Sequence, residues 1–146
     1  MCNNNNNSNS NNCIADILRV ILILQQNACG PDNCLDTCDR PMLACGTPIN
    51  CNTRPVTLYT CCGNGTPWTM PTSKTVVDCD GTLTGSCSAV FRVEKVEDNC
   101  ATFRVLIPNT DTTSLCTYQA TDSFFTMNLN CVCAIKCLSD TCVDCI

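Results

Sequence analysis

Thiols are the only side chains in this sequence numerous enough to define its chemistry. The chain carries 18 cysteines in 146 residues and no histidine. Without histidine the usual Ser-His and Cys-His nucleophile systems cannot be built. No phosphate-cradling glycine loop or catalytic pair of carboxylates stands out, so neither an enzyme nor a cofactor is expected. Two kinds of chemistry remain. Thiolates bind soft metals such as zinc and copper(I), and thiols join into disulfides within or between chains. The densest run, Cys131, Cys133, Cys137, Cys142 and Cys145, places five thiols in fifteen residues. Only Cys142 and Cys145 have the spacing of a zinc knuckle, and no second such pair completes a four-thiolate site. Cross-linking is therefore the reading adopted, with cysteine-thiolate metal binding as the alternative, and no metal ligands are assigned.

The cross-linking candidates are Cys2, Cys13, Cys61, Cys62, Cys131, Cys133, Cys137, Cys142 and Cys145. Neighbours in a strand point to opposite faces, so Cys61 and Cys62 are expected to find two different partners. Cys131 and Cys133 share a strand face at close to the upper limit of disulfide reach. Each is expected to pair with another strand or another chain. A domain of this length has a core of its own and does not need every cysteine bridged in order to fold. The surplus points to contacts between molecules.

These thiols must be held by a fold, and the alternation of residue types indicates which. In residues 124–137 every second residue from Phe125 onward is apolar or cysteine, the pattern of a half-buried strand long enough to require a bend or bulge. Residues 89–96 and 101–107 alternate likewise, each with a Phe-Arg-Val segment, and flank Glu97, Asp98, Asn99 and Cys100 as a hairpin. Ala101, Phe103, Val105 and Ile107 are assigned to one face, and Pro108 ends that strand. Residues 56–61 form a further strand ended by a turn from Cys62 to Pro67. Residues 75–78, with the Asp80-Gly81 turn, are a further strand candidate, and residues 115–120 precede the long final strand.

Residues 13–27 predict one helix, N-capped by Asn12, with an Asp16–Arg19 pair. Val20, Ile23 and Leu24 make it apolar on nearly every side, which fits either deep burial or packing between subunits. Residues 28–52, rich in Cys, Pro, Gly and Asn, read as a loop. The Asn-rich residues 1–12 are expected to form a flexible, disordered or weakly ordered arm. As a coil, the tether from Cys13 to Cys2 spans roughly 18 Å. The fold class is mainly β: a single β-sandwich-like domain, residues 13–146, with one N-terminal helix.

A net charge of −5, with eight scattered basic residues, excludes a nucleic-acid partner, which needs a basic stripe. No apolar run reaches the length of a membrane span, so no membrane is expected. The cysteine content matches a secreted disulfide scaffold, yet the N-terminus has no basic segment or apolar run of a signal peptide. Three resolutions exist: reduced thiols that bind metal, a signal lying outside this sequence, or synthesis in a reducing cytosol followed by later oxidation.

Four blocks carry a family resemblance. Residues 52–60, 90–98, 103–106 and 131–138, together with the Cys13-Ile-Ala-Asp-Ile-Leu18 segment, resemble the cysteine-rich spore proteins CotY, CotZ and ExsY of endospore-forming bacteria. The resemblance covers most of residues 13–140. It implies a structural protein of the outer coat or exosporium that self-assembles into two-dimensional, commonly hexagonal, disulfide-hardened layers. It also implies synthesis in the mother-cell cytosol, a final place at the spore surface, and as partners other copies of itself and further coat proteins. The Asn-rich arm, the missing histidine, Cys61-Cys62 and Cys142/Cys145 depart from the family pattern and leave a filament or a different layer open.

Overall fold

A computed structural model describes residues 12–27, 38, 51–79 and 86–146. Cys2, the rest of the arm before Asn12, the Asp80-Gly81 turn and most of the 28–52 loop lie outside the described residues. The protein is mainly β with one helix near the N-terminus. Helix α1 spans Cys13–Gln26, and the Asn12 side chain accepts from the backbone amides of Ile14 and Ala15, as its N-cap role requires. The Asp16–Arg19 pair closes at 2.9 Å, and Arg19 also donates to the Asp98 carbonyl at 2.6 Å.

Strands β1 (Val56–Thr60), β4 (Phe91–Glu97), β5 (Cys100–Pro108), β6 (Tyr118–Asn128), β7 (Val132–Cys137) and β8 (Val143–Asp144) form a six-stranded sheet in the order β7-β1-β4-β5-β6-β8. The β4–β5 hairpin turns through Asp98 at φ 49°, and β5 ends at Pro108. Strands β2 (Met70–Pro71) and β3 (Cys87–Ser88) make a separate ribbon.

One hydrophobic cluster holds these pieces together. Ile14, Ala15, Leu18 and Ile21 of α1 meet Val56, Leu58, Phe91, Val93, Phe103 and Val105 of the sheet, and Met70 of the ribbon packs against the same cluster. Phe125 meets Phe91 edge-on at 4.8 Å and stacks on Phe103 at 5.3 Å between ring centroids. Full burial of side chains of this size contributes about 1.5–3 kcal/mol each. α1 buries only one stripe, leaving Val20 and Ile23 exposed.

Four expectations are corrected. Residues 124–137 are not one strand: β6 ends at Asn128, Leu129–Cys131 form a 3₁₀ turn, and β7 lies at the far edge of the sheet. Asn128 caps that turn by accepting from the Asn130 amide, and the alternation then changes phase, because Val132 is buried while Cys133 is exposed. Residues 115–120 contain the start of β6 rather than preceding it. Residues 75–78 form no strand, and Val77 is almost fully exposed. In β5 an irregular register between Arg104 and Leu106 breaks the alternation, so Leu106 is fully buried and Ile107 only half-buried.

A candidate thiol cross-linking site

Backbone contacts between segments divide the cysteines between two ends of the fold. Leu138 on Pro55, Thr141 with Thr53 and Val143 with Tyr118 bring the Cys137, Cys142 and Cys116 segments to one end; Cys61 on Cys131 and Leu129 on Asn99 bring the Cys61, Cys131 and Cys100 segments to the other. At the first end disulfides tie the strands, and Cys145 is exposed and free. Cys38–Cys137 and Cys116–Cys142 are disulfides with Cα separations of 5.7 and 4.9 Å. They join segments 99 and 26 residues apart, so each removes a large loop from the unfolded chain. Cys79–Cys87 ties the approach to β2–β3, and Cys51 is also disulfide-bonded.

The second end holds most of the free thiols among the described residues. Cys61 and Cys62 follow β1 in a turn whose Asn64 and Gly65 both take positive φ, 52° and 76°. Asn and Gly are the residues that tolerate that conformation. The Cys61 amide donates to the Cys131 carbonyl at 3.1 Å, which pins this turn to the 3₁₀ turn. Cys100 opens β5 on the neighbouring hairpin, and the Leu129 amide donates to Asn99 at 2.7 Å. Cys13 belongs to this end as well, since Asn12 reaches Asn130 at 3.5 Å and Arg19 holds Asp98. Cys13, Cys61, Cys100 and Cys133 are exposed free thiols, and Cys131 is half-exposed.

A β-bulge sharpens the geometry. Tyr59 faces Ala134 and Thr60 faces Val132, so Cys133 is the extra residue on β7. A bulge turns its side chain out of the regular alternation, and here the Cys133 thiol approaches the Tyr59 carbonyl at 3.5 Å. The Cys61 thiol is pushed above its ordinary value, first by the desolvation its neighbours impose and then by the adjoining thiol of Cys133 and the charges of Cys133, Cys62 and Cys131. Beside the cluster lies an apolar groove of about 400 Å³, lined by Trp68, Met70, Phe125, Met127, Cys62 and Cys131 among others.

Of the sequence candidates, Cys13, Cys61, Cys62, Cys131 and Cys133 come together at this end. Cys137 and Cys142 sit in disulfides within the chain, Cys145 is exposed near the opposite end beside Gln119, and Cys2 lies outside the described residues. Cys100 was missed, although its place beside the hairpin turn marks it as exposed. Among the described residues no group of three or more cysteines or carboxylates is arranged to hold a metal ion, and no helix is long and apolar enough to cross a membrane.

No curated protein and no solved structure matches the chain. A family model described as Spore coat protein Z matches residues 1–119, a span that includes α1, the Cys61-Cys62 turn and the Phe-Arg-Val hairpin. The chain therefore belongs to the spore coat protein Z family.

Proposed function

We propose that this protein is a structural, non-enzymatic component of the bacterial endospore surface, in the outer coat or exosporium, where copies assemble into two-dimensional layers hardened by disulfides between chains. Family membership supports the structural coat role. The observation that carries the assembly reading is the segregation of thiols. Disulfides within the chain tie one end, where only Cys145 among the described cysteines is free, while Cys13, Cys61, Cys100, Cys131 and Cys133 lie at the other. A patch-to-patch contact that does not close on itself spreads indefinitely, and cross-links would make such a contact permanent. The exposed Val20 and Ile23 of α1, on the helix that Cys13 opens, offer apolar surface for the same contact. A hexamer-based lattice and contacts with other coat proteins belong to this proposal, as does synthesis in the mother-cell cytosol with oxidation at the spore surface.

The test is a non-reducing gel of purified protein oxidised in air. A ladder of covalent multimers that collapses with reductant is expected. Monomers alone, with all thiols still open, would count against the assembly reading.

A further inference from the structure

We propose that Cys61 and Cys133 form a thiol–disulfide exchange site that accepts an accessible thiol of a second copy of this chain. This inference rests on the assembly reading for its substrate, but its chemistry can be tested on the isolated protein.

The two sulfurs come from strands far apart in sequence and meet for a structural reason. Cys61 is the first residue after β1, and Cys133 is the bulged residue of β7, the strand that pairs with β1. Both side chains are exposed, and the Thr60–Val132 pairing sets the two residues beside one another on adjacent strands. The Cys61 amide on the Cys131 carbonyl fixes one backbone against the other, so little conformational freedom is lost on forming the bond. Cys62 and Cys131 stand beside the pair, and the adjoining groove presents Trp68, Met70 and Phe125 to any apolar side chain flanking an incoming cysteine.

The site would work in two balanced steps. First, a small-molecule disulfide oxidises the pair: the two thiols lose their protons, a Cys61–Cys133 sulfur–sulfur bond forms, and the small disulfide leaves as two thiols. Second, a thiolate from another copy attacks the Cys61 sulfur. The Cys61–Cys133 bond breaks, its electron pair leaves on Cys133, and Cys133 takes a proton. No net oxidation occurs in the second step. Attack is assigned to the Cys61 sulfur because Cys133, once released, has a contact of its own to return to. The released Cys133 thiol can return to the Tyr59 carbonyl it contacts now.

The test uses the full chain, held dilute and first reduced under conditions that leave it folded by circular dichroism, then treated with limiting oxidised glutathione. Peptide mapping should find a Cys61–Cys133 link in the parent and in Cys62→Ser, and none in Cys61→Ser or Cys133→Ala. Adding reduced protein should then convert that link to a mixed disulfide on Cys61 between two chains. If Cys61 and Cys133 stay unlinked in folded protein while other thiols oxidise, the exchange site is refuted even if layers form. If the link forms but no thiol of a second copy can open it, the proposal also fails. Exchange between chains in protein that builds no multimers on concentration would support the site and count against the layer.

Discussion

Arg54 and Asp140, 86 residues apart, form a buried two-pronged ion pair: Nε meets Oδ1 at 2.7 Å and the second guanidinium nitrogen meets Oδ2 at 2.9 Å. Arg54 also donates to the Cys38 carbonyl at 2.8 Å, and its amide donates to Gln25 Oε1 of α1 at 3.2 Å. This one residue thus ties the helix end, the approach to β1 and the segment after β7 at the disulfide-bridged end. Removing one partner leaves a buried charge uncompensated. Asp140→Asn should therefore lower unfolding stability by about 3–5 kcal/mol, measured by denaturant titration, and a paired replacement of both residues by apolar ones should recover part of the loss.

The sheet should stand without its disulfides. Phe91, Phe103 and Phe125 pack on one another within a cluster that includes α1. Reductant should therefore leave β-type circular dichroism in place, while Phe103→Ala should cost about 3–5 kcal/mol. Collapse to coil on reduction alone would assign the core's integrity to Cys38–Cys137 and Cys116–Cys142 instead.

The hairpin, the helix with its Asn12 cap and the turn at 62–67 were legible because each is local: alternation, a cap residue or an Asn-Gly pair decides it. The break in residues 124–137 was hidden because Leu129 and Cys131 keep the two-residue rhythm while turning through a 3₁₀ segment. Only the capping Asn128 marks the turn. The candidate site shows the same divide. Sequence supplied the thiols, but which of them meet depends on β7 crossing to pair with β1, a long-range choice that no local pattern encodes.

The thiol of Cys61 should titrate late. Its value is raised, so the proton is held to higher pH and alkylation at neutral pH should lag that of a cysteine in an unstructured peptide. Cys133→Ala removes the neighbouring thiol and its charge, so the alkylation curve of Cys61 should move to lower pH. A curve unchanged by that substitution would mean the two thiols do not interact in solution.

The arm and the start of α1 should carry contacts between copies. Deleting residues 1–12, or changing Cys2 and Cys13 to Ser, should leave a folded subunit whose multimers come apart in hot detergent without reductant. Deletion also removes the Asn12 cap, worth about 1 kcal/mol, so the double serine variant is the cleaner comparison. The same ladder of multimers from that variant and the parent would place the bonds among the other cysteines.

Metal storage makes the opposite demand on the thiols. Protein purified under reducing, metal-replete conditions should hold less than one zinc or copper ion per chain by elemental analysis. Two or more tightly held ions would favour a thiolate metal-binding protein.

Negative-stain microscopy of the purified protein, before and after reductant, tests the central claim most directly. Extended ordered sheets are expected, with a repeat near the size of a small oligomer, that lose their resistance to heat and detergent once reduced. Dispersed single particles at every concentration and redox state would contradict it.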